Sequence, residues 1–216
     1  MFKKILGLKS NSHFDALTAT ESWANALPSS LPKDGIRRRT LDLLLNVGIP
    51  FNRWLGLKIK EISRDRVVIE SPPSVLRRNH VGTAHACAQA LIGEYAAGLI
   101  VAQHFPMESY RFIIGKLEID YSKPGRGHLF GTAEAPVPFP ILENDEGWVP
   151  MRTRITNEAG DEIAVCQTRW QVKSWARIES DRLARKADAV RAAGSSGPET
   201  SASLGLASVS AGSAKP

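Results

Sequence analysis

From Ala84 to His104 the chain is a nearly unbroken run of about twenty small apolar residues, and nine positions between Ala84 and Ala102 are Ala or Gly. A helix of that composition is apolar almost all round, so it must be buried almost all round. Its short side chains let neighbouring backbones come close, which allows a curved sheet to wrap it. The length alone would suit a membrane span, but Gln89, Glu94, Gln103 and His104 interrupt the run, and its bulk is Ala and Gly rather than Leu and Ile. The run therefore reads as the central helix of a soluble protein, with Thr83 as a plausible N-cap and Pro106 marking its end.

The rest of the chain supplies the strands for such a sheet. Leu57–Ser63 alternates apolar and polar residues, Arg64-Asp65 makes a turn, and Arg66–Ser71 completes a hairpin. After the helix, strands are expected over Phe112–Tyr121, His128–Ala135, Trp148–Asn157 and Glu162–Val172. The connections are the turn SKPGRG, a Pro-rich acidic loop over Pro136–Gly147, and the turn NEAGDE. The fold class is thus α+β, with one curved antiparallel sheet around one long helix. Residues 1–49 read as an N-terminal extension with short helices. One starts at the capping-box spacing Thr18–Glu21 and ends near Pro28, and another covers Ile36–Val47. Residues 50–174 form the domain, and 175–216 a solvated helix passing into a Gly/Ser/Ala-rich disordered tail.

Composition narrows the partners. The net charge is +6, and Lys33–Arg78 carries eleven Lys or Arg against five Asp or Glu. Such a region suits nucleic acid, an anionic membrane or a phosphate-rich ligand. No zinc-finger spacing, RNP-like segment or basic motif with interleaved aromatics accompanies it, so neither nucleic acid nor membrane is the expected partner. The two cysteines, Cys87 and Cys166, are too few for a disulfide framework and lack metal-ligand spacing; no metal or cofactor is expected. The opening MFKKILGLKS breaks its apolar run at Lys9, so the chain reads as cytoplasmic.

The segment NHVGTAHACAQALIGE, Asn79–Glu94, places a His at the start of the helix and a carboxylate within it. With the order of elements, the pattern N-H-V-G-T-x-H-A-x(7)-E resembles the hotdog-fold acyl-CoA thioesterases, and in particular their PaaI-like and DUF4442-type members, which carry Asn…Gly…His-Gly-Gly…Asp/Glu at this point. The likeness covers roughly Pro50–Ser174, and IDYSKPGRG also resembles the turn after the third strand of that fold. The resemblance implies hydrolysis of an acyl-CoA or related thioester. It puts Asn79 on the active-site Asn, His85 on the motif His, Ala86 on the Gly whose backbone N–H polarises the thioester carbonyl, and Glu94 on the catalytic carboxylate. Two glycines of the pattern are Ala86 and Cys87 here, and Ile113-Ile114-Gly115-Lys116 offers no hydroxyl where several relatives have one.

His85 and Glu94 are nine residues apart, about 900° of helical rotation, so their side chains point to opposite faces. One chain does not easily bring both to one substrate, whereas a two-fold dimer does so twice. The resemblance implies the same sharing, so an obligate homo-oligomer is expected, either a dimer or a dimer of dimers. In such a site the Ala86 N–H, in the first helical turn, would receive the oxyanion. Glu94, its pKa raised by apolar surroundings, would act on water as general base or attack directly. Asn79 would orient thioester or water, and His85 would hold the loop or bond near the carbonyl. Gly82, Arg77, Arg78, Lys123 and Arg126 are the expected substrate contacts, the basic ones facing the phosphates of coenzyme A.

Other chemistry is open. Cys87 near a helix N-terminus is a conceivable nucleophile, although a residue two positions from His85 does not face it. GRGHLFG, Gly125–Gly131, misses the dinucleotide fingerprint by one residue and leads into a strand. A non-catalytic acyl-CoA-binding module and a hotdog dehydratase or hydratase are the alternatives to a hydrolase.

Overall fold

The computed structural model describes residues 35–36, 39–43 and 49–195. The helix expected near Thr18–Pro28 and the tail beyond Ser195 lie outside them. Of the expected helix over Ile36–Val47, residues 36 and 39–43 are described and helical. Helix α1 is Pro50–Arg53; strands β1 (Lys58–Ile62) and β2 (Arg66–Ser71) follow, then a 3-10 turn at Val75–Arg77 and the long helix α2, Ala86–His104. After it come β3 (Tyr110–Tyr121), β4 (Leu129–Glu134), β5 (Glu146–Asn157), β6 (Glu162–Ser174) and α3 (Trp175–Ser195). Among the described residues, those up to Ile178 form one compact unit and those from Glu179 a second.

The six strands make one sheet in the order β1-β2-β4-β5-β6-β3, and every pair is antiparallel. Helix α2 joins β2 to β3, crossing the sheet to its far edge, and packs against β2, β4, β5, β6 and β3. This is the single sheet around one helix that the run of small residues predicts.

The small residues are a steric requirement. A Cβ on Gly93 would lie 2.4 Å from the Cys166 Cβ of β6, and one on Gly131 of β4 would lie 2.5 Å from Ile92 Cγ2. The Thr153 hydroxyl of β5 donates to the Gly93 carbonyl at 2.9 Å. The core holds Ile92, Ala96, Ala97, Ile100 and Val101 of α2 against Val67, Ile69, Leu129, Val149, Ile155 and Val172 of the strands. At the helix end, Gln103 Nε2 donates to the Ser63 carbonyl at 2.8 Å and His104 stacks on Phe139, pinning α2 to the β1–β2 turn and the Pro-rich loop.

Between Ala88 and Ala102 every helix residue is buried except Ala90, Leu91, Glu94 and Gly98, which are half-buried. With the exposed Cys87, Leu91, Glu94 and Gly98 recur at a spacing of four, three and four, a single stripe along the helix. The neighbouring sheet edge is β3, which among the described residues is hydrogen-bonded only on its β6 side. It is twelve residues long, with Ile113, Leu117 and Tyr121 exposed by 48%, 37% and 47%. A long apolar edge of this kind is a template for pairing with another strand.

No helix among the described residues is long and apolar enough to cross a membrane.

Candidate active site

The loop before α2 is built by its own polar residues. Asn79 Oδ1 accepts from the Thr83 N–H at 3.0 Å and from the Val81 N–H at 3.2 Å, and Asn79 Nδ2 donates to Thr83 Oγ1 at 2.9 Å. The chain reverses at Gly82, whose φ of 76° suits a residue without a Cβ. Thr83 is thereby occupied, and it does not cap the helix as its sequence position suggests. The cap is His85, whose Nδ1 accepts from the Cys87 N–H at 3.1 Å. The helix begins two residues later than Ala84 because the Asn79 turn takes the hydroxyl first.

Two further segments fix this loop in space. The Ala84 N–H donates to the Gly125 carbonyl at 2.8 Å and the His85 N–H to the Arg77 carbonyl at 2.7 Å. Arg77 is 3% exposed, and its Nη1 donates to the Ser71 carbonyl at 2.7 Å and to Ser71 Oγ at 3.0 Å. Its Nη2 donates to the Gly127 carbonyl. Burial, with Arg78 alongside, lowers the Arg77 pKa. Arg77, expected as a phosphate contact, is a buried clamp that joins β2 to the β3–β4 turn through its bonds to Ser71 and Gly127.

The first residue of the helix is the one whose donor is free. The Ala88 and Gln89 N–H groups both reach the His85 carbonyl, and Cys87 N–H is capped. The Ala86 N–H has no hydrogen-bond acceptor among the described residues, at the positive end of a nineteen-residue helix. The Tyr121 hydroxyl, at the end of β3, donates to the carbonyl of the same residue at 3.0 Å.

Three clefts meet at this helix tip. A cleft of about 440 Å³ is lined by Asn79, Ala86, Gln89, Tyr121, Lys123 and Arg126 among others. A second, of about 280 Å³, adjoins it at Ala84 and Arg126 and adds Arg77, Arg78 and Gly82. Lys123 is held by Asp161 at 2.8 Å, whereas the guanidinium groups of Arg78 and Arg126 carry no ion pair among the described residues. The third cleft, of about 250 Å³, is mainly apolar and includes Phe51, Trp54, Leu55, Leu76, His85 and Cys87. The loop thus brings Asn79, Gly82, Ala86, Arg78, Lys123 and Arg126 together on one side of the helix tip and leaves His85 facing the apolar side.

Glu94 lines none of these clefts. It stands in the half-buried stripe of α2, and burial raises its pKa. Its carboxylate has no hydrogen bond or ion pair among the described residues. Its charge contributes, after burial, to lifting the Cys166 thiol to about 11. A half-buried carboxylate without a compensating partner is costly to a fold, which makes Glu94 a candidate functional residue. Within one chain, then, the free amide and the free carboxylate share none of these three clefts.

Sequence reasoning passed over Gln89 and Tyr121, which line the polar cleft, and Phe51 and Trp54, which line the apolar one. Gln89 carried the same signal as Glu94, a polar side chain inside a run of small apolar residues. Tyr121 and the two aromatics carried none beyond exposed position.

The sequence profile of a domain of unknown function, DUF4442, matches residues 37–172. No curated protein sequence is significantly similar to the chain. Among solved structures, a protein of unknown function and probable thioesterase from Pseudomonas aeruginosa superposes with a TM-score of 0.56 at 20% identity, covering 61% of this chain and 91% of that one. A thioesterase from Haemophilus influenzae gives 0.55 at 14% identity, over 63% and 90%. A thioesterase from Staphylococcus aureus gives 0.51 at 18%, over 57% and 98%; its solved variants replace a Gln and, fifteen residues further on, a Glu by Ala. These likenesses are of fold, and the fold is the hotdog.

Proposed function

The chain belongs to the DUF4442 family, and on that premise we propose that it hydrolyses an acyl-CoA, or a related acyl thioester, at a site shared between two copies. The observation that carries this reading is a pair of unsatisfied groups eight residues, about 12 Å, apart along one helix. One is the Ala86 N–H at the mouth of a basic cleft; the other is the Glu94 carboxylate beside an unpaired sheet edge. A second copy related by two-fold symmetry and paired along β3 would bring each to the other. The spacing from Asn79 to Glu94 is fifteen residues, the same as that between the substituted Gln and Glu of the Staphylococcus aureus thioesterase.

In this reading the thioester carbonyl oxygen accepts from the Ala86 N–H. Glu94 of the other copy, its pKa raised by burial, removes a proton from water as the water oxygen bonds to the carbonyl carbon. The negative charge that develops on the former carbonyl oxygen rests on the Ala86 amide. Collapse breaks the carbon–sulfur bond. The proton held by Glu94 passes to the departing thiolate, leaving a carboxylic acid and the free thiol. Asn79 acts by shaping the loop that presents Ala86, and His85 caps the helix while its Nε2 faces the acyl side. Arg78, Arg126 and Lys123, with the bare backbone of Gly82, form the basic rim for the phosphates of coenzyme A. The apolar cleft of Phe51, Trp54 and Leu76 accepts the acyl chain.

Steady-state turnover of a panel of acyl-CoAs by wild type and Glu94→Ala tests the assignment; equal rates would sink it. A binding module is the second reading, favoured by Ala86 and Cys87, whose side chains stand where the related pattern has two glycines. Thermal stabilisation by the panel without hydrolysis is its signature.

A further inference from the structure

Among the described residues only two buried side-chain atoms lack a hydrogen-bond partner, Gln89 Oε1 and Arg111 Nε. Gln89 is 4% exposed and forms part of the wall of the polar cleft, with Ala86, Tyr121, Lys123 and Arg126. Its Nε2 donates to the Ala84 carbonyl at 3.1 Å. That bond identifies the remaining atom as the oxygen, a pure acceptor that only a donor can satisfy. A buried amide oxygen left unpaired is disfavoured, so a ligand donor that reaches it gains more than one meeting a solvated group.

The position of this acceptor selects the donor. Gln89 is three residues along the helix from Ala86, a rise of ~4.5 Å, and its side chain leans back toward the helix start, as helical side chains do. A thioester carbonyl held on the Ala86 amide would leave its sulfur at the mouth of the same cleft. In a pantetheine thioester the sulfur is followed by two methylenes and then an amide N–H, a span of comparable length. Lys123 and Arg126 continue the cleft outward, toward where a phosphate at the far end of the arm would lie.

We propose that Gln89 is a substrate-binding residue that accepts a hydrogen bond from the first amide N–H of the pantetheine arm, so that the cleft selects pantetheine thioesters over simple alkyl thioesters. The inference rests on the thioester reading above and adds the chemical class of the leaving group. It gives a role to a polar residue that the packing of α2 would otherwise exclude.

The test compares two thioesters of one acyl group, an N-acetylcysteamine thioester, which carries that amide, and an alkyl thioester of equal length without it. For wild type, kcat/KM for the amide-bearing substrate should exceed the other by about tenfold. Gln89→Met, of similar shape and without the acceptor, should reduce that ratio by about tenfold, through KM. A ratio near one in wild type, or a ratio retained in Gln89→Met, overturns the proposal. If wild type hydrolyses neither, the hydrolase reading fails while Gln89 is still tested, by calorimetric binding of pantetheine. About tenfold weaker binding to Gln89→Met supports the contact and equal binding overturns it. If circular dichroism shows Gln89→Met to be unfolded, wild-type binding of pantetheine against its des-amide analogue decides, with equal affinity overturning the proposal.

Discussion

The Tyr121 hydroxyl donates to the Ala86 carbonyl at 3.0 Å, tying the last residue of the edge strand to the first residue of the central helix. Burial raises the tyrosine pKa, so the group remains a donor at neutral pH. The same peptide region presents the unpaired Ala86 N–H, and this bond fixes its direction. Tyr121→Phe should lower kcat by about threefold to tenfold with a smaller change in KM, because one hydrogen bond of ordinary strength is lost. The melting temperature should barely move, since the residue is exposed. Unchanged kinetics would remove Tyr121 from the positioning of the amide.

Ala86 is the first residue of the helix, where proline is tolerated, and His85 before it has φ −59° and ψ 144°, the backbone that a following proline prefers. Ala86→Pro should therefore fold and lose only the amide donor, lowering kcat by about 10²–10³. Glu94→Gln should be comparably inactive. Mixed and re-equilibrated, the two variants should recover about a quarter of wild-type activity. Half of the dimers are then mixed, and each mixed dimer has one intact Ala86–Glu94 pair. Native mass spectrometry with one variant isotope-labelled monitors exchange, and no recovery after complete exchange would exclude the shared site.

The pH dependence follows from the direction of the Glu94 shift. Burial raises its folded pKa above the unfolded value, so between the two values the folded chain binds more protons than the unfolded one. Stability therefore falls as pH rises through the unfolded and then the folded pKa, and is level above both. Glu94→Gln should flatten that decline in urea unfolding followed across the acid range. The acid limb of kcat/KM for wild type should lie above the ordinary carboxylate range, since the base acts only when ionised. A limb at the ordinary value would contradict the assignment.

Arg77 and Arg126 are neighbours with opposite duties. Arg77→Ala leaves the Ser71 and Gly127 carbonyls without their donor and should destabilise the fold by about 2–4 kcal/mol. Arg126→Ala should leave chemical denaturation unchanged within error and raise KM for an acyl-CoA several-fold, an effect that weakens with added salt. Substrates without phosphate should not distinguish Arg126→Ala from wild type. The reverse pattern would exchange the two roles.

What could be read from the chain beforehand follows the range of the interactions concerned. The central helix and the strands were legible because a run of small residues and a period of two are local patterns. Their ends were less so. Strand β5 starts at Glu146 rather than Trp148, since Asn144 and Asp145 adopt positive φ and turn the chain just before it. Strand β3 starts at Tyr110 because it pairs there with Ser174. The burial of Arg77 depends on Gly127, fifty residues away, and nothing near Arg77 in the sequence distinguishes it from exposed Arg78. Gln89 shows the converse case: its anomaly was visible, but the partner that leaves its oxygen free, the Ala84 carbonyl, belongs to a helix start that a local reading had put two residues too early.

The contact of Gly93 with Cys166, where an added Cβ would come within 2.4 Å of the facing side chain, leaves the buried side of the helix no freedom to grow. A chain of this kind cannot alter its substrate preference by enlarging side chains on the inner face of its central helix, because the sheet would have to open to admit them. Diversification has to come from the periphery, from Phe51, Trp54 and Leu76 at one flank and from the unpaired strand at the other, while the axis of the molecule stays the same.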